Sequence, residues 1–227
     1  MSLINRDTIN INNRGAFILF EGCDKAGKST QAKKLFEYLK NNGHSVELWK
    51  FPDRKTTIGQ IINGYLANDK ELDDKAIHLL FSANRWECMK DMKNLLLSGT
   101  TLIVDRYAYS GVSYSVAKGM DLDWCCLPDR GLLSPDIIFF MDLTAEAAEK
   151  RGGFGEERYE KKSLQEKVRK IFYMLKEKDN DSDSLWKILN ANQSVEMLHK
   201  RIVESSLKLI EKCHQLPLKD DLWKATC

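Results

Sequence analysis

FILFEGCDKAGKSTQA, residues 17–32, is the stretch that decides how this chain reads. Residues 17–20 are a continuous apolar, aromatic-rich run, the pattern of a strand buried on both faces. The run breaks into Gly22-x-x-x-x-Gly27-Lys28-Ser29 and then becomes helix-forming. Gly22 and Gly27 permit the backbone angles of a tight loop, and a helix starting at Ser29 points its free N–H groups at an anion. Lys28 adds a positive charge and Ser29 a hydroxyl ligand for Mg²⁺. A strand before and a helix after separate such a loop from an ordinary glycine turn, so the chemistry to expect is that of a bound polyphosphate.

Outward from this loop, strand and helix signals alternate to about residue 209, with no repeat, low-complexity block or linker. The first helix covers residues 29–41, and Gly43 ends it before a second strand, 44–51, that stops at Pro52. A helical region follows at 57–66, then a long helix at 73–98 with apolar residues at mixed three and four spacing, stopped by Gly99. Residues 101–104 form a third strand and 136–143 a fourth, with a crossover helix at 144–151. The pattern falters at Gly152-Gly153-Phe154-Gly155. A charged amphipathic helix returns over 158–178, a short strand follows at 185–189, and the last helix covers 194–213. Five strands joined by helices predict one α/β domain over residues 15–227, with a parallel sheet covered on both faces and ligands at the carboxyl ends of its strands. Residues 1–14, polar and Asn-rich, are expected to be disordered. Trp49, Trp124 and Trp186 read as core.

Composition narrows the function classes. The 227 residues are 43% hydrophobic and 30% charged, as in an ordinary soluble protein with a full core. Its 35 basic and 33 acidic residues leave a net charge of +2, so no global field favours nucleic acid or an acidic membrane. The 6 cysteines have neither CxxC nor metal-ligand spacing. There is no apolar run of membrane-spanning length, and residues 1–14 lack the apolar core of a signal peptide. A cytosolic or nuclear protein with reduced thiols is expected, without nucleic-acid or membrane partners.

Two further strand ends bear charged residues. The third strand delivers Asp105 and Arg106 at its carboxyl end, where a carboxylate can hold the Mg²⁺ shell and a guanidinium can grip phosphate. The second ends in Phe51-Pro52-Asp53-Arg54, and Arg54 is a second candidate clamp unless it is merely solvated. Phe81 and Arg85 are four residues apart on the long helix and share a face. By spacing alone Phe81 is a core residue.

The segments FEGCDKAGKSTQ, FPDR, HLLFSANRWE, DRYAYSG and FGEERYE, in this order, make the chain resemble the eukaryotic-type thymidylate kinases over residues 15–223. The resemblance implies a P-loop NTPase-type three-layer sandwich with a small lid near 151–159, and transfer of a phosphoryl group from ATP to dTMP with Mg²⁺. It assigns Gly22, Lys25, Ala26, Gly27, Lys28, Ser29 and Thr30 to ATP, with Arg151 against adenine. Ser29 and Asp105 are assigned to Mg²⁺, Asp105 in part through water. Asp24 is assigned to the 3′-hydroxyl, Phe51, Arg54 and Arg106 to the dTMP end, Phe81 to stacking on thymine and Arg85 to its carbonyl edge. Ser110 is placed near the base, Tyr114 against the ribose 2′ position, and Tyr159 on the nucleoside. Lys25 stands where family members usually have Arg, and Ser113 where they usually have Ala. Lys25 is thereby expected to supply the catalytic charge, with Arg158 close enough to compete. The family also implies a homodimer.

Other readings remain at this stage. A kinase for another monophosphate or for a deoxynucleoside would share the loop, although two arginine clamps would then lack their anion in an uncharged nucleoside. A GTPase-type switch lacks its Asn-Lys-x-Asp segment here. A module without activity should have lost a catalytic position, yet Lys28, Ser29, Asp105 and Arg106 are all present.

Overall fold

The computed structural model describes residues 13–151, 157–179 and 182–224. Its sheet has five parallel strands, β1 (Phe17–Glu21), β2 (Val46–Lys50), β3 (Thr101–Asp105), β4 (Ile137–Asp142) and β5 (Trp186–Asn190), in the order β2-β3-β1-β4-β5. The central strands β1, β3 and β4 carry the continuous apolar runs because both faces are covered.

The period-two alternation of those strands builds two cores. Phe17 and Leu19 of β1, Leu102 and Val104 of β3, and Ile138 and Phe140 of β4 face one layer. Ile18 and Phe20, Ile103, and Ile137 and Phe139 face the other. The first layer is closed by α4 (Met89–Leu97), α5 (Ala108–Ala117) and α8 (Lys162–Lys178), through side chains such as Met92, Val112 and Phe172. The second is closed by α1 (Lys28–Asn41) and α10 (Val195–Cys213), through Leu35, Leu39 and Ile202. Each such side chain, fully buried, is worth roughly 1.5–3 kcal/mol of transfer free energy. This is the expected three-layer sandwich. The short helices α6 (Leu122–Cys126), α7 (Ala145–Glu149) and α9 (Ser182–Leu185) lie in the connections.

Several expectations need correction. The helix over 73–98 is two helices, α3 (Asp74–Trp86) and α4. The side chains of its middle turn are tied to different loops: Glu87 accepts from Thr56 and Asn84, while Trp86 donates to the Pro128 carbonyl. There the ladder tightens, with the Cys88 N–H on the Arg85 carbonyl and the Met92 N–H restarting from the Cys88 carbonyl. Residues 158–161 precede α8 as turn and extended chain rather than opening it. The interval between β3 and β4, without an expected element, holds α5 and α6. Of the three tryptophans expected in the core, Trp186 is there, whereas Trp49 and Trp124 are half-buried at its margin. Of residues 1–14, expected to be disordered, 1–12 lie outside the described residues, and the expectation is corrected at Arg14: its guanidinium bonds both Asp136 carboxylate oxygens at 2.7 Å. Among the described residues, no helix is long and apolar enough to cross a membrane. The small helix α2 (Thr57–Leu66) packs on α3 around Ile62 and Ile77.

Candidate active site

At the carboxyl end of β1 the chain turns sharply. Gly22 has φ +138°, and a Cβ there would stand 2.6 Å from the Met141 carbonyl oxygen, so only glycine fits. Gly27, at φ +91°, ends the loop and caps α1 without a side-chain bond. The first-turn N–H groups of α1 thus face the loop's cavity without a capping side chain between. Lys28 is buried and its Nζ donates to the Cys23 carbonyl at 2.5 Å. Burial, aided by the nearby Arg106 cation, depresses its pKa to about 8 against the pull of Asp24 and Asp105.

Behind the loop, the Ser29 hydroxyl donates to Oδ2 of Asp105. The Lys50 ammonium lies 4.0 Å from that oxygen, and Oδ1 of Asp105 is buried with no partner. A buried, unpartnered carboxylate oxygen beside a hydroxyl is a hard oxygen donor set, and it fits Mg²⁺.

Arg106 follows Asp105 at φ +69°, a left-handed conformation uncommon outside glycine. Its guanidinium donates to the Gly22 carbonyl and the Ser110 hydroxyl, both at 3.0 Å, and to the Asp24 carboxylate. Glu21, fully buried, fixes this turn by accepting from the N–H groups of Tyr107 (2.9 Å) and Ser110 (3.0 Å) and from the Ser110 hydroxyl (2.5 Å). It serves α5 as an N-terminal cap supplied from another strand. Burial raises the Glu21 pKa, against these bonds and Arg106. Burial alone would also raise Asp24, but the Arg106 and Lys28 cations hold it below the usual carboxylate range.

Asp24 further accepts from the Tyr114 hydroxyl at 2.9 Å and from Gln165 Nε2 at 2.6 Å. The Tyr114 ring stacks on Tyr159 with centroids 5.2 Å apart, and the Arg106 guanidinium carbon lies over the Tyr114 ring, 5.5 Å from its centroid. Arg54 pairs with Asn63 and with Glu157, each at 2.9 Å. The Asn84 side chain braces the turn before it, accepting from the Asp53 N–H at 2.7 Å. Lys25, at φ +57°, has its ammonium 3.4 Å from Glu160.

One cavity of about 680 Å³ gathers most of the expected residues. Asp24, Lys25, Ala26, Gly27, Lys28, Ser29 and Thr30 line it together with Phe51, Arg54, Phe81, Arg85, Arg106, Ser110, Tyr114, Arg151 and Tyr159. Gly22 and Asp105 do not line it: the first turns the chain and the second stands behind Ser29. Arg151 is anchored by bonds to the carbonyls of Lys25 (2.9 Å) and Ala191. Arg158 is held elsewhere, over the Tyr65 ring at 4.1 Å and on Glu71 at 2.7 Å, and is not among the lining residues. The lid residues 152–156 lie outside the described residues.

Sequence reasoning passed over Glu21, Asp129, Glu160 and Gln165. Glu21 alone carried a signal, an acid directly after an apolar strand. The others belong to segments that read as solvated helix or connection.

Comparison with known proteins agrees with this geometry. The thymidylate kinase family model matches residues 20–202. A thymidylate kinase of Arabidopsis thaliana is 48% identical over 93% of this chain and 78% of its own length. The Homo sapiens thymidylate kinase is 45% identical over 93% of this chain and 98% of its own. A solved thymidylate kinase structure from Candida albicans superimposes with a TM-score of 0.81 at 37% identity, covering 91% of this chain and 97% of that one. With a glycine-bounded loop at a helix N-terminus and a group of arginines and aromatic rings lining one cavity, and with relatives this similar over nearly its whole length, the chain belongs to the thymidylate kinase family.

Proposed function

We propose that this phosphotransferase moves the γ-phosphoryl group of ATP onto the phosphate of dTMP, giving dTDP, with the residues named above as its machinery. The observation that supports this reading best is the shared cavity, in which the loop around Lys28 and the pair Phe81 and Arg85 open onto the same space.

Little covalent work falls to the protein in such a reaction, and catalysis is positioning plus charge stabilisation. Lys28 and the loop amides hold the donor phosphates, with Gly22, Ala26, Gly27 and Thr30 shaping the loop and Arg151 against adenine. Arg106 and Arg54 hold the acceptor phosphate. Lys25 lies where charge develops between them. Asp24 accepts from the 3′-hydroxyl, Tyr114 crowds the 2′ position, Phe81 and Arg85 take the base, and Phe51, Ser110 and Tyr159 complete the nucleoside's walls. Ser29 and Asp105 would hold Mg²⁺, Asp105 in part through water. When bound, the ion would neutralise charge on the donor phosphate oxygens. The reading extends to a cytoplasmic location and to a homodimer, the latter supported by Leu79 and Trp86, which remain 47% and 41% exposed on α3.

An ADP-release assay with ATP and Mg²⁺ across dTMP, dUMP, dGMP, AMP, UMP and thymidine tests the reading. dTMP should be preferred and thymidine inert. dUMP should be roughly 10- to 200-fold poorer, because one methyl supplies only about 1–3 kcal/mol. The Candida albicans relative is described as having broad substrate specificity, which supports dUMP as a real substrate here. Preference for any other acceptor overturns the substrate assignment.

A further inference from the structure

The guanidinium at the base end of the cavity is held from two sides. Arg85, 2% exposed, donates from Nε to Oδ1 of Asp129 at 3.1 Å and from Nη2 to Oδ2 at 2.6 Å. Asp129 is itself fully buried and accepts from the Ser82 hydroxyl at 2.7 Å. Ser82 lies one turn before Arg85 on α3, so the carboxylate grips the helix and the guanidinium as one unit. The segment that carries Asp129 is pinned in turn: the Gly131 N–H bonds the Leu222 carbonyl at 3.0 Å, and the Leu222 N–H bonds the Leu132 carbonyl at 3.1 Å.

Against the Nη end of the guanidinium stands Gly111 of α5. A Cβ there would lie 2.9 Å from Nη2 and 3.0 Å from Nη1 of Arg85. Gly111 does not have a left-handed φ, so its backbone does not call for glycine. Inside a helix, glycine costs roughly 0.5–1 kcal/mol relative to alanine. The missing Cβ therefore serves the guanidinium, which lies between a carboxylate edge and a bare backbone. Nη1, with both its N–H groups, is the nitrogen that Asp129 does not engage, and Arg85 lines the cavity.

We infer that Asp129 and Gly111 are positioning residues for base selection: together they fix Arg85 so that its guanidinium meets the base with donors alone. Such an edge accepts a carbonyl, as in thymine or uracil, and rejects the amino group of cytosine. A guanidinium free to swing could withdraw from that amino group and lose the discrimination. This inference rests on the reading that Arg85 faces the base.

The test is steady-state kinetics on the full-length enzyme with dTMP, dCMP and ATP varied separately, for Arg85→Ala, Asp129→Asn and Gly111→Ala. Asp129→Asn turns a donor toward Nη2 and removes the charge, while Gly111→Ala pushes on the Nη end of the guanidinium with no change in charge. Both variants should raise the dTMP KM at least about tenfold, leave the ATP KM within about twofold, and narrow the dTMP-to-dCMP ratio of kcat/KM. A merely structural role would move the two KM values together. If Asp129→Asn does not fold, Gly111→Ala decides the matter. If Arg85→Ala raises the dTMP KM while the other two variants do not, the positioning role is overturned and the base reading stands. If Arg85→Ala leaves it unchanged, both fall. Failure of both positioning variants to fold also overturns the inference, since the slot is then a strut of the fold.

Discussion

Glu160 holds its carboxylate 3.4 Å from the ammonium of Lys25, joining the segment before α8 to the phosphate loop across the cavity. The cation assigned to the developing charge is thus aimed by an acid from another part of the chain. Lys25 lacks the planar fork of arginine, and a partner restricts where its flexible stem can go. Lys25→Ala should lower kcat by on the order of 10³ while leaving the dTMP KM within about threefold. Glu160→Gln should cost less than about tenfold in kcat, because a partly exposed pair of this kind is worth ~0.2–1 kcal/mol. Steady-state kinetics with dTMP and ATP varied separately checks both. Equal losses in kcat and dTMP affinity for Lys25→Ala count against a role confined to the transition state.

Glu157 pairs with Arg54 at 2.9 Å, with the two side chains 44% and 40% exposed. A carboxylate therefore sits where the acceptor phosphate is proposed to bind, and the phosphate must displace it. Because the pair is exposed, its strength is about 0.2–1 kcal/mol. Glu157→Gln is expected to lower the dTMP KM by roughly 1.4- to fivefold, the affinity equivalent of that energy. An unchanged or higher KM would show that Glu157 does not compete with substrate.

What the sequence could and could not show follows from the range of the contacts. β1, β3 and β4 carry continuous apolar runs that end in an acid at the carboxyl end of each strand, and the glycines at 22 and 27 answer to local backbone geometry, so sheet and loop were legible. The edge strands β2 and β5 are half-exposed, and their limits shifted by one or two residues. α5 left no helical period because Ala108, Tyr109, Ser110, Val112, Ser113, Tyr114, Ser115 and Ala117 are all buried, which covers nearly every face. The apolar spacing runs unbroken past residue 87, so the break between α3 and α4, which polar tethers cause, was hidden. Gln165 meets Asp24 across 141 positions and Asp129 meets Arg85 across 44, distances over which neither spacing nor propensity carries information.

Asp105 offers a direct handle on the metal. Its Oδ1 is buried without a partner while Oδ2 takes the Ser29 hydroxyl, so the carboxylate has unused capacity next to the other residue assigned to Mg²⁺. Asp105→Asn keeps the shape and removes the charge. The Mg²⁺ concentration for half-maximal rate should rise about 10- to 100-fold, the usual penalty for altering a group that orients or ligates a metal. Titration of activity with Mg²⁺ at saturating ATP and dTMP checks this, and EDTA should abolish turnover in both proteins. An unchanged Mg²⁺ requirement would remove Asp105 from the metal's surroundings.

Far from the cavity, Asp179 at the end of α8 accepts on one oxygen from both Trp186 Nε1 (2.7 Å) and the Tyr109 hydroxyl (3.1 Å). Burial raises its pKa, and the two bonds only partly offset the effect. The folded protein therefore binds this proton more tightly than the unfolded chain, whose value is about 3.9. Below that value both states are protonated and Asp179 carries no penalty. As pH rises through the raised folded value, the ionised form must be kept in a poorly solvated place, and stability falls. Asp179→Asn preserves an oxygen acceptor for both donors without the charge. It should raise Tm at pH 7 by a few degrees, since 1 kcal/mol moves a chain of this size by ~2–4 °C. The gain should shrink toward zero by about pH 3, where wild type is itself neutral at this position. Calorimetry of the two proteins from pH 3 to 8 decides it: a difference in Tm that stays constant across the range would mean that packing, not ionisation, sets the effect.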